Sequence, residues 1–253
     1  MNKKYIFSTI KEFLNSYVFN IILIFLIIMC FYGYAVIGQL DSSYIMRFNY
    51  ILNYSWFFSG VFILAILVTN FYLMYRIFNN TFVKIRLKKK HDLFNNVFLT
   101  IFISNTILFS VTLIILIIIG NFKPSTSFSG NYLFYNINDI YYLIYNIIKT
   151  FIITQLISFT NLVFVFLINS KTVLILNIVY VYMTIREICL DSIVKDFSLF
   201  FAGYIRMKKY NSFANELECF IAFVGIVLII GIILINFVIF NKNGRKLDEE
   251  HFL

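Results

Sequence analysis

The sequence predicts an all-α integral membrane protein with six transmembrane helices, N-terminus and C-terminus both in the cytoplasm. Three observations predict it. Apolar residues make up 61% of the chain and charged residues only 13%, with a mean hydropathy of +0.86. A soluble domain runs at about half apolar and a quarter charged. The apolar residues gather into charge-free windows of membrane-crossing length, and the basic residues between those windows alternate in density from loop to loop.

The windows are 13–40, 48–75, 93–122, 150–170, 172–185 and 219–241, of 28, 28, 30, 21, 14 and 23 residues. Crossing about 30 Å of hydrocarbon takes about 20 helical residues at about 1.5 Å each. Five windows meet that length. The fifth in order, Thr172 to Ile185, reaches it only when extended through Arg186 and Glu187 to Leu190. The spans are placed at about 17–38, 54–75, 97–120, 150–169, 172–190 and 219–240, in a single transmembrane domain covering 1–253.

Charge orients them. With the N-terminus inside, the inner flanks take 13 Lys and Arg and the outer flanks take 8. In the two loops that join the first three spans, the comparison is six (Arg76, Lys84, Arg86, Lys88, Lys89, Lys90) against one, Arg47. Early short loops dominate orientation, so both ends fall on the cytoplasmic side.

The flanking segments differ in character. Lys3 to Ser16 sets Ile6, Ile10, Phe13 and Leu14 on one helical face, continued by Tyr17, with Lys4, Lys11, Glu12 and Asn15 elsewhere. That pattern predicts an amphipathic helix lying in the inner headgroup layer. Thr126 to Tyr145 reads as an outer loop whose tyrosines form an interfacial aromatic belt. Asn169, Ser170 and Lys171 make a tight cytosolic turn. Arg186 to Glu218 carries apolar patches among charges, and reads as an outer helical hairpin between spans five and six.

Candidate chemistry is sparse. Both histidines, His91 and His251, lie in charged flanks, no phosphate-cradling Gly-Lys loop is present, and no acidic residue falls in mid-span. The chain has no catalytic site, metal site or cofactor site of its own by this reading. What is polar at depth is uncharged. Thr150, Thr154, Ser158 and Asn161 share one face of the fourth span at about 100° per residue. They line a translocation path or hydrogen-bond to neighbouring helices. Asn20, Asn70, Asn105 and Asn177 read as packing amides. Arg186, with Glu187 beside it, sits about 21 Å from the inner end of its helix and is a candidate outer gate.

The cytosolic loop Arg76 to Asn96 mixes six basic residues with Phe82, Val83, Ile85 and Leu87. Retention on the inner side does not require those apolar residues. They suit docking of a soluble partner, or contact with anionic membrane lipid. Nucleic acid is excluded as a partner, because a net charge of +9 spread over membrane flanks makes no groove.

Taken in order, the amphipathic lead-in helix, six spans, basic loop after span two, tight turn at Asn169 to Lys171 and outer hairpin resemble the permease subunit of an ABC-2-type exporter. The layout is similar to that of the small Gram-positive permeases that export bacteriocins and phenol-soluble modulins. The resemblance covers the whole chain and rests on architecture, since the family has no short diagnostic motif. It implies a permease that pairs with a second copy, as homo- or heterodimer. A separate cytosolic ABC ATPase would bind ATP and Mg and dock on Phe82, Val83, Lys84, Ile85, Arg86, Leu87, Lys88 and Lys89. It implies export of amphipathic peptides from the plasma membrane of a low-GC Gram-positive bacterium. Lipids, glycans and drugs are alternative cargoes. A non-transporting immunity or assembly protein is the alternative from another class.

Overall fold

The computed structural model describes residues 3–37, 43–53, 61–78, 90–121, 127, 131–132, 137–168, 172–177, 179 and 212–240. Seven helices of ten or more residues carry almost all of them. They are α1 Lys3–Leu14, α2 Tyr17–Ile37, α3 Tyr44–Asn53, α4 Ile63–Phe78, α5 Lys90–Asn121, α6 Asp139–Leu167 and α7 Phe213–Phe240. A two-residue antiparallel ribbon, β1 Asn131–Tyr132 with β2 Ile137–Asn138, precedes α6.

Helix starts follow local capping chemistry. Ser16 Oγ accepts from Phe19 N at 3.2 Å and opens α2, and Ser43 Oγ does the same for α3 through Met46 N at 3.2 Å. Asn138 Oδ1 accepts from Ile140 N at 2.9 Å at the head of α6, and Ser212 Oγ from Asn215 N at 3.3 Å at the head of α7. Each short polar side chain satisfies an amide that the first helical turn leaves orphaned.

α1 forms as the periodicity predicts. Ile6, Ile10 and Phe13 are buried, Lys4, Lys11 and Glu12 are exposed, and the helix packs across α5 and α2. Tyr17, expected to continue the apolar face, is exposed instead. Partial burial raises the Tyr5 hydroxyl above its ordinary value, against the opposing effects of Thr9 and Arg76.

Neighbouring side chains fix the helix directions. α3 and α4 advance along α6 in the same sense: Ser43 meets Asp139, Asn49 meets Asn146, Asn70 meets Ser158 and Phe78 meets Phe166. From Asn49 to Asn70 the chain takes 21 steps while α6 takes 12, from Asn146 to Ser158. At about 1.5 Å per residue that is about 31 Å of helix against about 18 Å. One straight rod therefore cannot occupy this path. The single span expected over 54–75 is instead a path built from α3 and α4, with 54–60 outside the described residues.

α6 and α7 run parallel. Phe213 packs on Tyr142 and Tyr145, Phe223 and Val227 pack with Leu156, and Leu234 and Ile235 join the cluster around Leu162 and Val163. Gly231 brings the two helices into contact, because a Cβ there would collide with the Phe159 ring. The chain that joins them thus leaves at one end of the bundle and rejoins at the other.

Three expected boundaries move. α5 begins at Lys90 rather than near residue 97, so the basic loop expected through Asn96 is in part helix. α6 begins at Asp139 rather than near residue 150, so the outer loop expected through Tyr145 is in part helix. Its tyrosines divide: Tyr141 is exposed, but Tyr142 is buried and Tyr145 turns to Phe213 and Phe220. α7 begins at Phe213 rather than 219, which takes Phe213 and Leu217 out of the expected hairpin. The remainder of that hairpin, Arg186 and Glu187, the turn at 169–171 and the docking residues Phe82 to Lys89 lie outside the described residues.

Candidate functional site

The polar side chains that the fold brings together lie along α6. From Asp139 through Tyr142, Asn146, Lys149, Thr154, Ser158 and Asn161 they recur at intervals of three to five residues, which keeps them on one half of the helix. All are buried.

At the head of α6, Ser43 Oγ donates to Asp139 Oδ2 at 2.6 Å and Asn49 Nδ2 donates to the Asp139 carbonyl at 2.9 Å. Two turns further on, Asn146 Nδ2 donates to Asn49 Oδ1 at 2.8 Å. Arg47 on α3 is buried as well, although its sequence neighbourhood read as an outer loop. A buried ion pair follows. Lys149 Nζ lies 2.9 Å from Glu216 Oε1 on α7, with side chains only 6% and 9% exposed. Tyr142 OH donates to Glu216 Oε2 at 3.2 Å, and Lys149 Nζ stands 5.1 Å from the centre of the Tyr145 ring. Both carboxylate oxygens are thereby engaged, which is the condition under which a buried ion pair is tolerated.

Midway along α6 three helices meet in an amide knot. Asn105 Nδ2 donates to Asn70 Oδ1 at 3.0 Å and to Ser158 Oγ at 2.7 Å, and Asn70 Nδ2 donates to Ser158 Oγ at 3.0 Å. Ser158 in turn donates to the Thr154 carbonyl at 2.9 Å, and Thr154 to the Thr150 carbonyl at 2.8 Å. Of the four residues proposed to line a path or pack helices, Ser158 hydrogen-bonds to neighbouring helices, while the Thr154 hydroxyl goes to the Thr150 carbonyl of its own helix. Asn161 does not share in the knot. It borders a cavity of about 310 Å³ between α6, residues 172–177 and α7.

Asn70 and Asn105 are packing amides as expected, but Asn20 is exposed and Asn177 borders the same cavity as Asn161. Reading spans as charge-free windows concealed the Lys149–Glu216 pair, since that rule ends a helix wherever a charge stands. The signal that could have found it is the continuation of the α6 polar face upstream, through Asn146 and Tyr142 to Asp139. Among the described residues no cluster of three His, Cys, Asp or Glu side chains is placed to hold a metal.

Among the described residues, four helices are long and apolar enough to cross a membrane: Tyr17–Ala35, Asp92–Asn121, Asp139–Leu167 and Phe213–Asn236. α4, with 16 residues, is apolar but shorter. Helices of this kind, with Ile221, Ile229, Ile232 and Ile233 of α7 turned outward, are the build of a multi-pass membrane protein. Comparison with protein-family models, with curated proteins and with solved structures found no match to the chain.

Proposed function

We propose that the chain is the transmembrane subunit of an ATP-driven exporter of amphipathic peptides, a permease of the ABC-2 type. It has six crossings, cytoplasmic ends and a separate cytosolic ATPase. The observation that carries this reading is the order of crossings. α5 runs against α6, with Phe94 on Phe166 and Phe109 on Phe151. α2 runs with α5, its Phe19 end in the Phe94 cluster and its Tyr34 end by Gly120. α2, the α3–α4 path, α5 and α6 therefore alternate in direction, and α7 repeats the direction of α6. In this reading the expected fifth span, 172–190, returns the chain, completes six and leaves α1 and the end of α7 on one side. That layout, with an amphipathic helix packed beside the first crossing, is the one on which the resemblance rests.

Energy has to come from elsewhere, because Lys149 and Glu216 are paired with each other and Asn70, Asn105 and Asn146 are engaged in packing. The basic segment with Phe82, Ile85 and Leu87 is the docking element in this reading. Copurification from detergent tests it: an ABC ATPase should accompany the wild-type chain and be lost from the Phe82→Asp, Ile85→Asp, Leu87→Asp variant, with membrane insertion unchanged. Cysteine labelling from outside should reach position 208 and spare position 246. An ATPase that stays bound to the triple variant, or outside labelling of position 246, would remove the reading.

One observation favours a second function, a membrane immunity or assembly protein that transports nothing. Thr154 and Ser158, the residues best placed to line a path within one chain, spend their hydroxyls on backbone carbonyls and the amide knot. Under the exporter reading, the path must therefore run between two copies. Stimulation of a reconstituted complex's ATPase by amphipathic helices separates the two.

A further inference from the structure

Among the described residues, one buried amide nitrogen without an acceptor, that of Asn177, belongs to a residue that borders a cavity. The cavity between α6, residues 172–177 and α7 is walled by Ile157, Val163, Val173, Val227 and Leu234 and bordered by two amides, Asn161 and Asn177. Asn161 is 5% exposed. Asn177 Nδ2 is buried with no acceptor. An unmet donor in an apolar wall is costly, so an acceptor is the missing element. An apolar cavity of this kind does not hold water well. It lies in the size range of sites that take a small apolar ligand, with a few polar groups to orient it.

The placement names the occupant. Phe164, Leu176, Ile226 and Ile230 border the cavity and are also exposed on the outside of the bundle, so it opens sideways, towards the surface that lipid chains would cover. Asn161 stands six residues before the end of α6. That is about 9 Å, and with α6 about 44 Å long and centred on about 30 Å of hydrocarbon, each end projects about 7 Å. The amide then lies at the boundary where hydrocarbon gives way to the ester carbonyls of membrane lipids. Those carbonyls are acceptors only, which is what an unmet amide N–H requires.

We propose that this cavity binds one acyl chain of a glycerolipid, which enters sideways between α6 and α7, its ester carbonyl accepting from Asn177 and Asn161. The site is independent of the exporter reading.

Photolabelling in phosphatidylglycerol nanodiscs tests it, with a diazirine on one acyl chain and the full-length protein. Labels should map to 157–164 and 226–234. Val227→Trp, which fills the cavity, should reduce them about tenfold, while Ile233→Trp on the outer face of α7 should leave them unchanged. An ether-linked analogue without the carbonyl should label about fivefold to tenfold less than the ester lipid. That difference should vanish in Asn161→Leu, Asn177→Leu. Should Val227→Trp fail to fold, Ile230→Phe narrows the same opening and should reduce labelling in the same direction. Equal labelling of a folded, cavity-filled variant overturns the proposal. So does equal labelling by ester and ether lipids in the wild type, or crosslinking of Ile226 to a second copy of the chain in place of lipid.

Discussion

The two ends of this bundle are held together by opposite means. At the end that carries α1, aromatic and aliphatic side chains close the interior: Phe13, Phe78, Phe94 and Phe166 pack with Leu73, Ile77 and Leu162. The ion pair there, Glu12 with Arg76 at 2.6 Å, stays on the surface. At the other end the charges are inside. Lys149 and Glu216 join α6 to α7, and Asp139 draws α3 against α6 through Ser43 and Asn49. In lipid, apolar contact alone confers little preference of one helix for another, whereas polar side chains give a defined register. The polar end is therefore the one that sets which helices neighbour each other, and the aromatic end fills the space that results.

The largest test of that contrast is Glu216→Leu. It strands the Lys149 ammonium among α6 and α7 side chains, and removing one partner of a buried pair costs about 3–5 kcal/mol. Thermal unfolding in detergent should show a large destabilisation. The double variant Lys149→Met, Glu216→Leu should recover most of it, since an apolar pair of similar volume replaces the ions. A single variant as stable as wild type would mean that the pair does not join the helices, and the contrast between the ends would fail.

Ser158→Ala tests the middle of the molecule. The hydroxyl accepts from both Asn70 and Asn105, yet intramembrane hydrogen bonds are worth only about 0.6–2 kcal/mol each. A loss of that order is expected, with α4 and α5 still paired through Asn105 and Asn70. A loss as large as that of Glu216→Leu would move the organising centre from the polar end to the knot.

What could be read in the sequence follows the same division. The apolar face of α1 was legible, because Ile6, Ile10 and Phe13 recur at helical spacing and the charges avoid them. So were α2 and the apolar body of α5, which contain no charge to interrupt them. The polar end was not. A charge in sequence ordinarily marks the edge of a span, so Lys149 and Glu216 read as flanks of separate helices. Their pairing depends on α6 and α7 lying parallel, which no local pattern reveals. The α3–α4 path was hidden for the converse reason: 48–75 has no charge at all, and nothing in its composition distinguishes one rod from two helices. The stripe from Thr150 to Asn161 was recognised as a face, but only the positions of α4, α5 and α7 separate the knot residues from the one that borders the cavity.

The smallest effect is expected from Glu12→Gln. Its partner Arg76 also receives support from Tyr72, whose hydroxyl lies 2.8 Å from Nη1. Both charged side chains are about half exposed, at 52% for Glu12 and 42% for Arg76. An exposed pair gains little over hydration and is screened by salt, which limits it to about 0–1 kcal/mol. The variant should therefore unfold within about 1 kcal/mol of wild type at low salt, and the gap should close as ionic strength rises. Phe13→Ala at the same end should cost considerably more, since Phe13 is fully buried against Phe19 and Tyr72. If Glu12→Gln proved the more damaging of the two, charge rather than packing would hold α1 in place. The two ends would then differ only in how deeply their ion pairs are buried, and the explanation of this end by aromatic packing would have to be given up.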